Sequence, residues 1–433
     1  MKTIVMASRS SKDHITINTE SLASSFENMM ADNLFMSPNC CIFRTPKILL
    51  RHNEKAYHPN AFSIGPFHHE TEQLKPTEKI KLKYLQGILQ RSLRPKERLR
   101  QLIEAIRVVQ VEARDYYAGP VTLNFEEFVK IMVLDGCFII ELFRKDANEV
   151  AKDPDDPIFT MSCLQEFLNH DLILLENQIP WLVLECLFNL SMPPGGGKSL
   201  IQLTLDFFAN IFSSSKASIT PDQFNDLKIM HILDLLRHSL LLPFRNDESD
   251  EKHLGWQPFP CARSLKDAGI KFKRVSSSSI LDITFSNGVL EIPPLLLQET
   301  TETILRNLIS FEQCYPNCPP RVTSYAKLMD YLIDTTKDME ILCENDIFDN
   351  WLNLEDATQF FNQLYTDAYV KKFYYHELCR QVNSYCKQFW PRWRFFYVHN
   401  YFGKPWAVTA QIVVAIFLVF AFLHTYYTIK NDD

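Results

Sequence analysis

Glycine is scarce in this chain, at 11 of 433 residues. Dinucleotide and P-loop folds build their phosphate turns from closely spaced glycines, so the shortage counts against both. Gly197-Lys198-Ser199 has the ending of a P-loop, but Met192 stands where the first glycine belongs and the stretch follows a helical pattern, not a strand. Positive charge is not in excess: 45 Lys and Arg against 52 Asp and Glu leave a net charge of -7, with no bias toward nucleic acid. No Gly-x-Ser-x-Gly elbow, kinase motif set or His-Glu-x-x-His is present. Nor is there a Cys-x-x-Cys pair, and the opening residues, MKTIVMASRSSKDH, have no apolar run of signal-peptide length. A mean hydropathy of -0.13 excludes a many-pass transporter. With 46% hydrophobic and 22% charged residues, a disordered chain, a collagen and a simple coiled coil are excluded too.

What is present is a long chain with a distinctive end. Residues 406–429 read WAVTAQIVVAIFLVFAFLHTYYTI and carry no fixed charge. As a helix they span roughly 30 Å or slightly more, enough for a bilayer core. Trp390, Trp393, Tyr401 and Trp406 precede the run, and His424, Tyr426 and Tyr427 close it before Ile429, as an aromatic belt would. Lys387, Arg392, Arg394 and Lys404 lie before it and Lys430 after it, so the positive-inside rule places the N-terminal body in the cytosol. The expectation is a single-pass, tail-anchored protein; plasma membrane and endoplasmic reticulum are not distinguished. Eleven cysteines, an odd number with several in apolar runs, suit a reducing compartment.

Apolar spacing predicts a mainly α body. Residues 1–37, rich in Ser, Asn, Thr and Asp, read as a mobile tail, and residues 38–395 as the helical domain. Two helices over 78–111 break at Pro95, and their many Lys and Arg residues read as a solvated face, the alternative being a patch for a membrane surface or an acidic partner. Residues 125–143 and 164–190 form strongly apolar helices, the second broken at Pro180. Residues 145–157 between them read as an exposed acidic loop. Helices are also predicted over 200–212, 228–242, 295–313, 323–342 and most of 354–389. A small antiparallel β element covers about 270–292, with a hairpin turn at Ser286-Asn287-Gly288.

The most suggestive chemistry lies in carboxylates within apolar segments: Asp135 and Glu141 in one helix, Glu176 and Glu185 in the next. A facing pair would serve general acid/base catalysis. The structural reading is that each one caps a helix or pairs with Arg144, Arg237 or a backbone N–H. Asp135-Gly136 inside a helix suggests close packing at Gly136, and Glu176-Asn177-Gln178 before Pro180 suggests partners for backbone groups freed at the break. His68-His69, near Cys40, Cys41, His52 and His58, does not form a metal-ligand pattern, and no cofactor is implied.

Several segments together resemble the land-plant family catalogued as domain of unknown function 247. They are Cys41-Ile42-Phe43-Arg44 with Pro46, NEKAY (53–57), SIGPFHH (63–69), Lys81, MVLDGCFIIELF (132–143), DLILLENQIPWLVLE (171–185), HILDLLR (231–237), AGIKFK (268–273), NLISFEQ (307–313) and VTSYAKLMDYLI (322–333). Tyr401-Phe402 and Pro405-Trp406 then lead into the apolar run. Small departures are Phe67 where Tyr is usual, Glu70 where Gly is common and Thr77 where Met is usual. The resemblance implies a helical plant membrane protein with no assigned reaction; association of some grass members with self-incompatibility loci suggests recognition. The motif residues of unknown role are Gly65, Pro66, His68, His69, Asp135, Gly136, Cys137, Glu141, Glu176, Asn177, Gln178 and Pro180. The expected function is a membrane-anchored interaction or signalling protein with a protein partner. The alternative is a membrane-tethered enzyme using its buried carboxylates.

Overall fold

The structure, a computed structural model, describes residues 18–31, 37–191, 197–212, 219–244, 258–350, 352–387, 413 and 416–422. Helix α1, Thr19–Ala31, lies within the segment read as a tail. Asn18 starts it by accepting the Ser21 N–H at 3.2 Å, and a 13-residue stretch follows without Gly or Pro. A single turn, α2 (Lys47–Leu50), then opens the N-terminal half.

Helices α3 (Glu78–Gln90) and α4 (Pro95–Arg114) are separated as predicted, with Pro95 at the first turn of α4. A capping box of Asn124 and Glu127 starts α5, Phe125–Asp146. Its residues are buried on nearly every side because α3, α4 and the later helices α8 and α9 pack around it. After it come α6 (Pro157–Thr160), α7 (Ser162–Asp171), α8 (Trp181–Leu190) and α9 (Leu200–Phe207).

The expected helix over 164–190 is corrected here. Helix α7 stops at Asp171, nine residues before Pro180, and 172–180 is buried, irregular chain. Buried backbone outside a helix needs partners. Gln178 Nε2 donates to Leu172 O (2.7 Å) and Leu174 O (2.9 Å), and Asn177 Nδ2 donates to Asp171 O (2.9 Å). Side-chain amides thus replace the helical ladder over this stretch.

The C-terminal half holds α10 (Ile232–Leu241), α11 (Ala262–Asp267), β1 (Lys271–Arg274), β2 (Thr284–Ser286), β3 (Val289–Ile292) and β4 (Leu295–Leu297). It continues with α12 (Glu299–Cys314), α13 (Arg321–Leu332), α14 (Thr336–Glu344), β5 (Phe348–Asn350), α15 (Leu354–Leu364) and α16 (His376–Lys387). The β2–β3 hairpin turns at Asn287 and Gly288, both at positive φ (50° and 78°), as a type I′ turn requires. The sheet is nevertheless mixed, not antiparallel: its order is β1-β3-β2, and β1 runs parallel to β3. Residues 280–283, expected as strand, are instead pinned singly into the core, with Leu281 O accepting from Tyr375 Oη at 2.6 Å. Residues 295–297, expected as helix, follow two prolines and pair in parallel with β5.

The buried apolar side chains form one main cluster running from Cys40 to Val382. Most of 406–429 lies outside the described residues. Val413 and 416–422 are helical, with exposed apolar side chains. Among the described residues no helix is long and apolar enough to cross a membrane.

Candidate functional site

The motif residues converge on the junction between 60–68, the middle of α5 and the irregular segment 172–180. Asp135 is the centre of this junction. Its Oδ2 accepts the Gly65 N–H at 2.8 Å, and its Oδ1 accepts from Lys81 Nζ at 2.7 Å. Lys81, on α3, is fully buried, so the solvated-face reading fails at this position. Its ammonium also reaches Glu78 (2.6 Å) and donates to Ser63 O. Burial opposes the Lys81 charge, but Asp135 and Glu78 outweigh it and hold the group above its ordinary value. Burial also pushes Asp135 up, against the pull of Lys81 and the Gly65 N–H. With three acceptors on one ammonium, the ion pair is the state this geometry fits.

Gly65 is required twice over. Its φ is +74°, and a Cβ there would stand 2.6 Å from the Gln178 carbonyl oxygen. Tyr117 Oη donates to that same oxygen at 3.1 Å. Asn177 closes the junction from the other side: its Oδ1 accepts the Ile64 N–H (2.7 Å) and its Nδ2 donates to Phe62 O (2.9 Å). Asp171 accepts three successive N–H groups, from Asn60 (2.7 Å), Ala61 (2.8 Å) and Phe62 (2.7 Å). Gln178 Oε1 accepts the Leu233 N–H at 3.3 Å, tying in α10.

Glu176 accepts the Thr45 N–H at 2.8 Å, with Arg44 3.7 Å away and His68 Nε2 at 3.5 Å. The His68 contact is close enough for an ion pair but not aligned as a hydrogen bond. Although burial disfavours its charge, His68, the Thr45 N–H and Arg44 together hold Glu176 below the usual carboxylate range. Glu141 is gripped by Arg91 through two hydrogen bonds, 2.6 and 2.5 Å, in a bidentate fork. Glu185, grouped with these acids on sequence grounds, is exposed and accepts from Trp181 Nε1 at 2.9 Å.

Gly136 meets α8 as its sequence setting predicts: a Cβ would fall 2.4 Å from Leu187 Cδ1. Cys137 is buried beside it, and burial pushes its thiol up to about 12, which leaves it unreactive. Pro180 precedes α8, where Trp181 N–H donates to Met230 O at 2.7 Å. Pro66, His68 and His69 are half-buried at the outer edge of the junction. His69 is not in the network around Asp135 and Glu176.

The remaining sequence candidates resolve into structural ties. Lys198 pairs with Asp206 (2.7 Å), and Ser199 caps α9. Arg144 donates to Ser191 O at 2.6 Å. Arg237 meets Glu312 (3.2 Å), whose carboxylate also accepts the Val322 and Thr323 N–H groups at the start of α13. The supposed acidic loop is partly buried: Asp156 is inaccessible and accepts from Tyr84 Oη (2.8 Å) and Lys145 Nζ (2.7 Å). Among the described residues no three His, Cys, Asp or Glu side chains come together as a metal site, and all eleven cysteines are free thiols. Lys81, Asp171, Tyr117 and Asp156 were not singled out as site candidates from the sequence, although Lys81 and Asp171 are among the residues that carry the family resemblance. The available signal was helical phase, which puts Lys81 on the same face of α3 as Tyr84 and Ile88.

A network of this composition holds backbone in place. Asp135, Glu141 and Glu176 each accept from cations or N–H groups of the body. The profile of a family described as a plant protein of unknown function, domain of unknown function 247, matches residues 42–420. The chain belongs to this family. It is similar to two proteins of Arabidopsis thaliana: UPF0481 protein At3g47200, 26% identical over 89% of this chain and 86% of the relative, and UPF0481 protein At3g02645, 21% identical over 89% of each. No solved structure matches. The family match begins at Ile42, beside the junction, and extends into the exposed apolar helix that includes Phe420.

Proposed function

We propose that this plant protein is a membrane-anchored interaction protein. Its helical body meets a protein partner in the cytosol, and residues 406–429 hold it at a membrane. The observation that carries the reading is the state of 416–422. Phe417, Phe420 and Phe422 are 71%, 64% and 71% exposed, on a helix whose described residues are all exposed. Such a surface calls for a lipid or protein cover. The carboxylates that motivated an enzyme reading support it less: Asp135 is tied to Lys81, Glu141 to Arg91, and Glu176 to Thr45 and Arg44.

The test compares the full chain with one ending before Trp406, both expressed in plant cells. The full chain is expected to stay in the membrane pellet through alkaline carbonate extraction, and the shortened chain to move to the supernatant. Equal extraction of both overturns the anchor. Added protease should digest the body on intact microsomes; a protected body would reverse the orientation. Cross-linking should recover the same specific protein with both forms, and recovery of nothing above background overturns the interaction reading.

A further inference from the structure

We propose that α1 docks, within its own chain, into the apolar groove between α3, α4 and α5. The groove has a volume of about 410 Å³ and is lined chiefly by Leu82, Leu85, Leu99, Ile103, Val129 and Leu134. Leu82 and Ile103 keep 53% and 42% of their surface exposed, and Phe125 at the groove's end keeps 63%. Gln110 also lines it, and its buried Oε1 has no hydrogen-bond partner.

Helix α1 has the complementary surface. Leu22, Phe26, Met29 and Met30 recur at i, i+4, i+7 and i+8, on one face, and all four are exposed. Ser25, one turn before Met29, adds a hydroxyl donor at the margin of that face. Charge agrees as well. Helix α1 carries Glu20 and Glu27 and no basic residue, whereas the charged residues lining the groove are Arg107, Lys130 and Glu126, two basic against one acidic. The acidic helix is thereby matched to this groove and poorly matched to an anionic lipid surface.

Length and connection also fit. Thirteen helical residues extend about 20 Å, and the groove's wall on α4, from Leu99 to Gln110, about 17 Å. The chain enters the body where the Cys41 and Ile42 N–H groups donate to Tyr116 O, just past the end of α4. Nine residues lie between Ala31 and Cys41; Ser37 to Cys40 is a turn closed by the Cys40 N–H donating to Ser37 O, so the chain from Ala31 to Ser37 reaches up to roughly 20 Å. The Gln110 end of the groove lies about 9 Å before Tyr116 along the helix direction. An isolated helix of this length is marginal in water, so its apolar stripe requires a cover. A tether this short supplies about millimolar effective concentration, which favours the chain's own groove over that of a second copy.

The experiment places photoreactive p-benzoylphenylalanine at Phe26 in the full chain, reconstituted in lipid nanodiscs. Unlabelled and ¹⁵N-labelled protein are mixed before irradiation, and cross-linked peptides are mapped. Cross-links to α3, α4 and α5 between residues 82 and 134, joining peptides of the same isotope, are expected. Ile103→Asp, at an exposed position, should lower their yield about tenfold, and Ile103→Leu should preserve it. Cross-links to lipid or another face, no cross-link, or no response to Ile103→Asp overturns the docking. Mixed-isotope pairs overturn the intramolecular occupant and assign the groove to a second copy.

Discussion

At the scale of single residues, the buried charges are held by their partners, and removing one partner exposes the other. Asp135→Asn leaves Lys81 with Glu78 as its remaining carboxylate and a neutral amide beside it. It should destabilise the body by about 1–3 kcal/mol, read as a shift of the urea midpoint. Replacing the pair together, Lys81→Met with Asp135→Leu, should recover part of that loss, although Gly65 N–H and Ser63 O lose their partners. A double variant at least as unstable as Asp135→Asn would show that the network depends on these hydrogen bonds more than on charge balance. His231 supplies a pH dependence. It caps α10 by accepting the Asp234 N–H at 3.2 Å, and burial lowers its pKa to about 4. The folded state therefore binds fewer protons than the unfolded one at mildly acid pH, and stability rises with pH. This contribution is complete above about 6.5, is lost as pH falls toward about 4, and amounts to roughly 3 kcal/mol. His231→Asn keeps an acceptor for the cap and removes the titration. Denaturation midpoints measured between pH 4 and 6.5 should then vary less than in the parent, and an unchanged slope would exclude His231 as its source.

At the scale of elements, the contact of α5 with α8 rests on the absence of a side chain at Gly136. Gly136→Ala presses on the end of Leu187 and should cost about 1–3 kcal/mol in thermal or urea unfolding. Leu187→Val in the same chain should relieve part of it; no relief would mean that α8 as a whole had shifted. Helices α3 and α4 were legible because burial on a helix repeats every three to four residues, and α5 because its apolar run is too long for a strand. The segment 172–180 was not, because its apolar run is the same whether hydrogen bonds come from a helix or from Asn177 and Gln178. The parallel pairing of β1 with β3 was also hidden: local alternation marks a strand but carries no information about a partner 18 residues away. The site was half legible. Asp135, Glu176 and their neighbours stood out as polar residues in apolar surroundings. Their cation Lys81 was lost among the many exposed basic residues of the same helices, and Asp171 fell inside the stretch read as apolar helix up to Pro180.

At the scale of the whole molecule, α12 fastens regions that are distant in sequence. Asn307 accepts the Leu175 N–H at 2.8 Å and donates to Ala56 O at 2.7 Å. Asn307→Ala should cost about 1–3 kcal/mol, because a buried N–H and a buried carbonyl both lose their partner. Its signature should be remote. Amide exchange should accelerate at Leu175 and through 172–180, more than a hundred residues from the substitution, while α14 and α15 keep their protection. Acceleration confined to α12 would contradict this linkage.

That fastening has a consequence for the order in which the chain is made. Residues 56 and 175 leave the ribosome long before residue 307, so the nascent N-terminal half must wait with open hydrogen-bonding groups at its centre. Synthesis at about 5–20 residues per second makes that interval several seconds or more. During it the half-built junction is a natural site for chaperone attention, and only the arrival of α12 closes it.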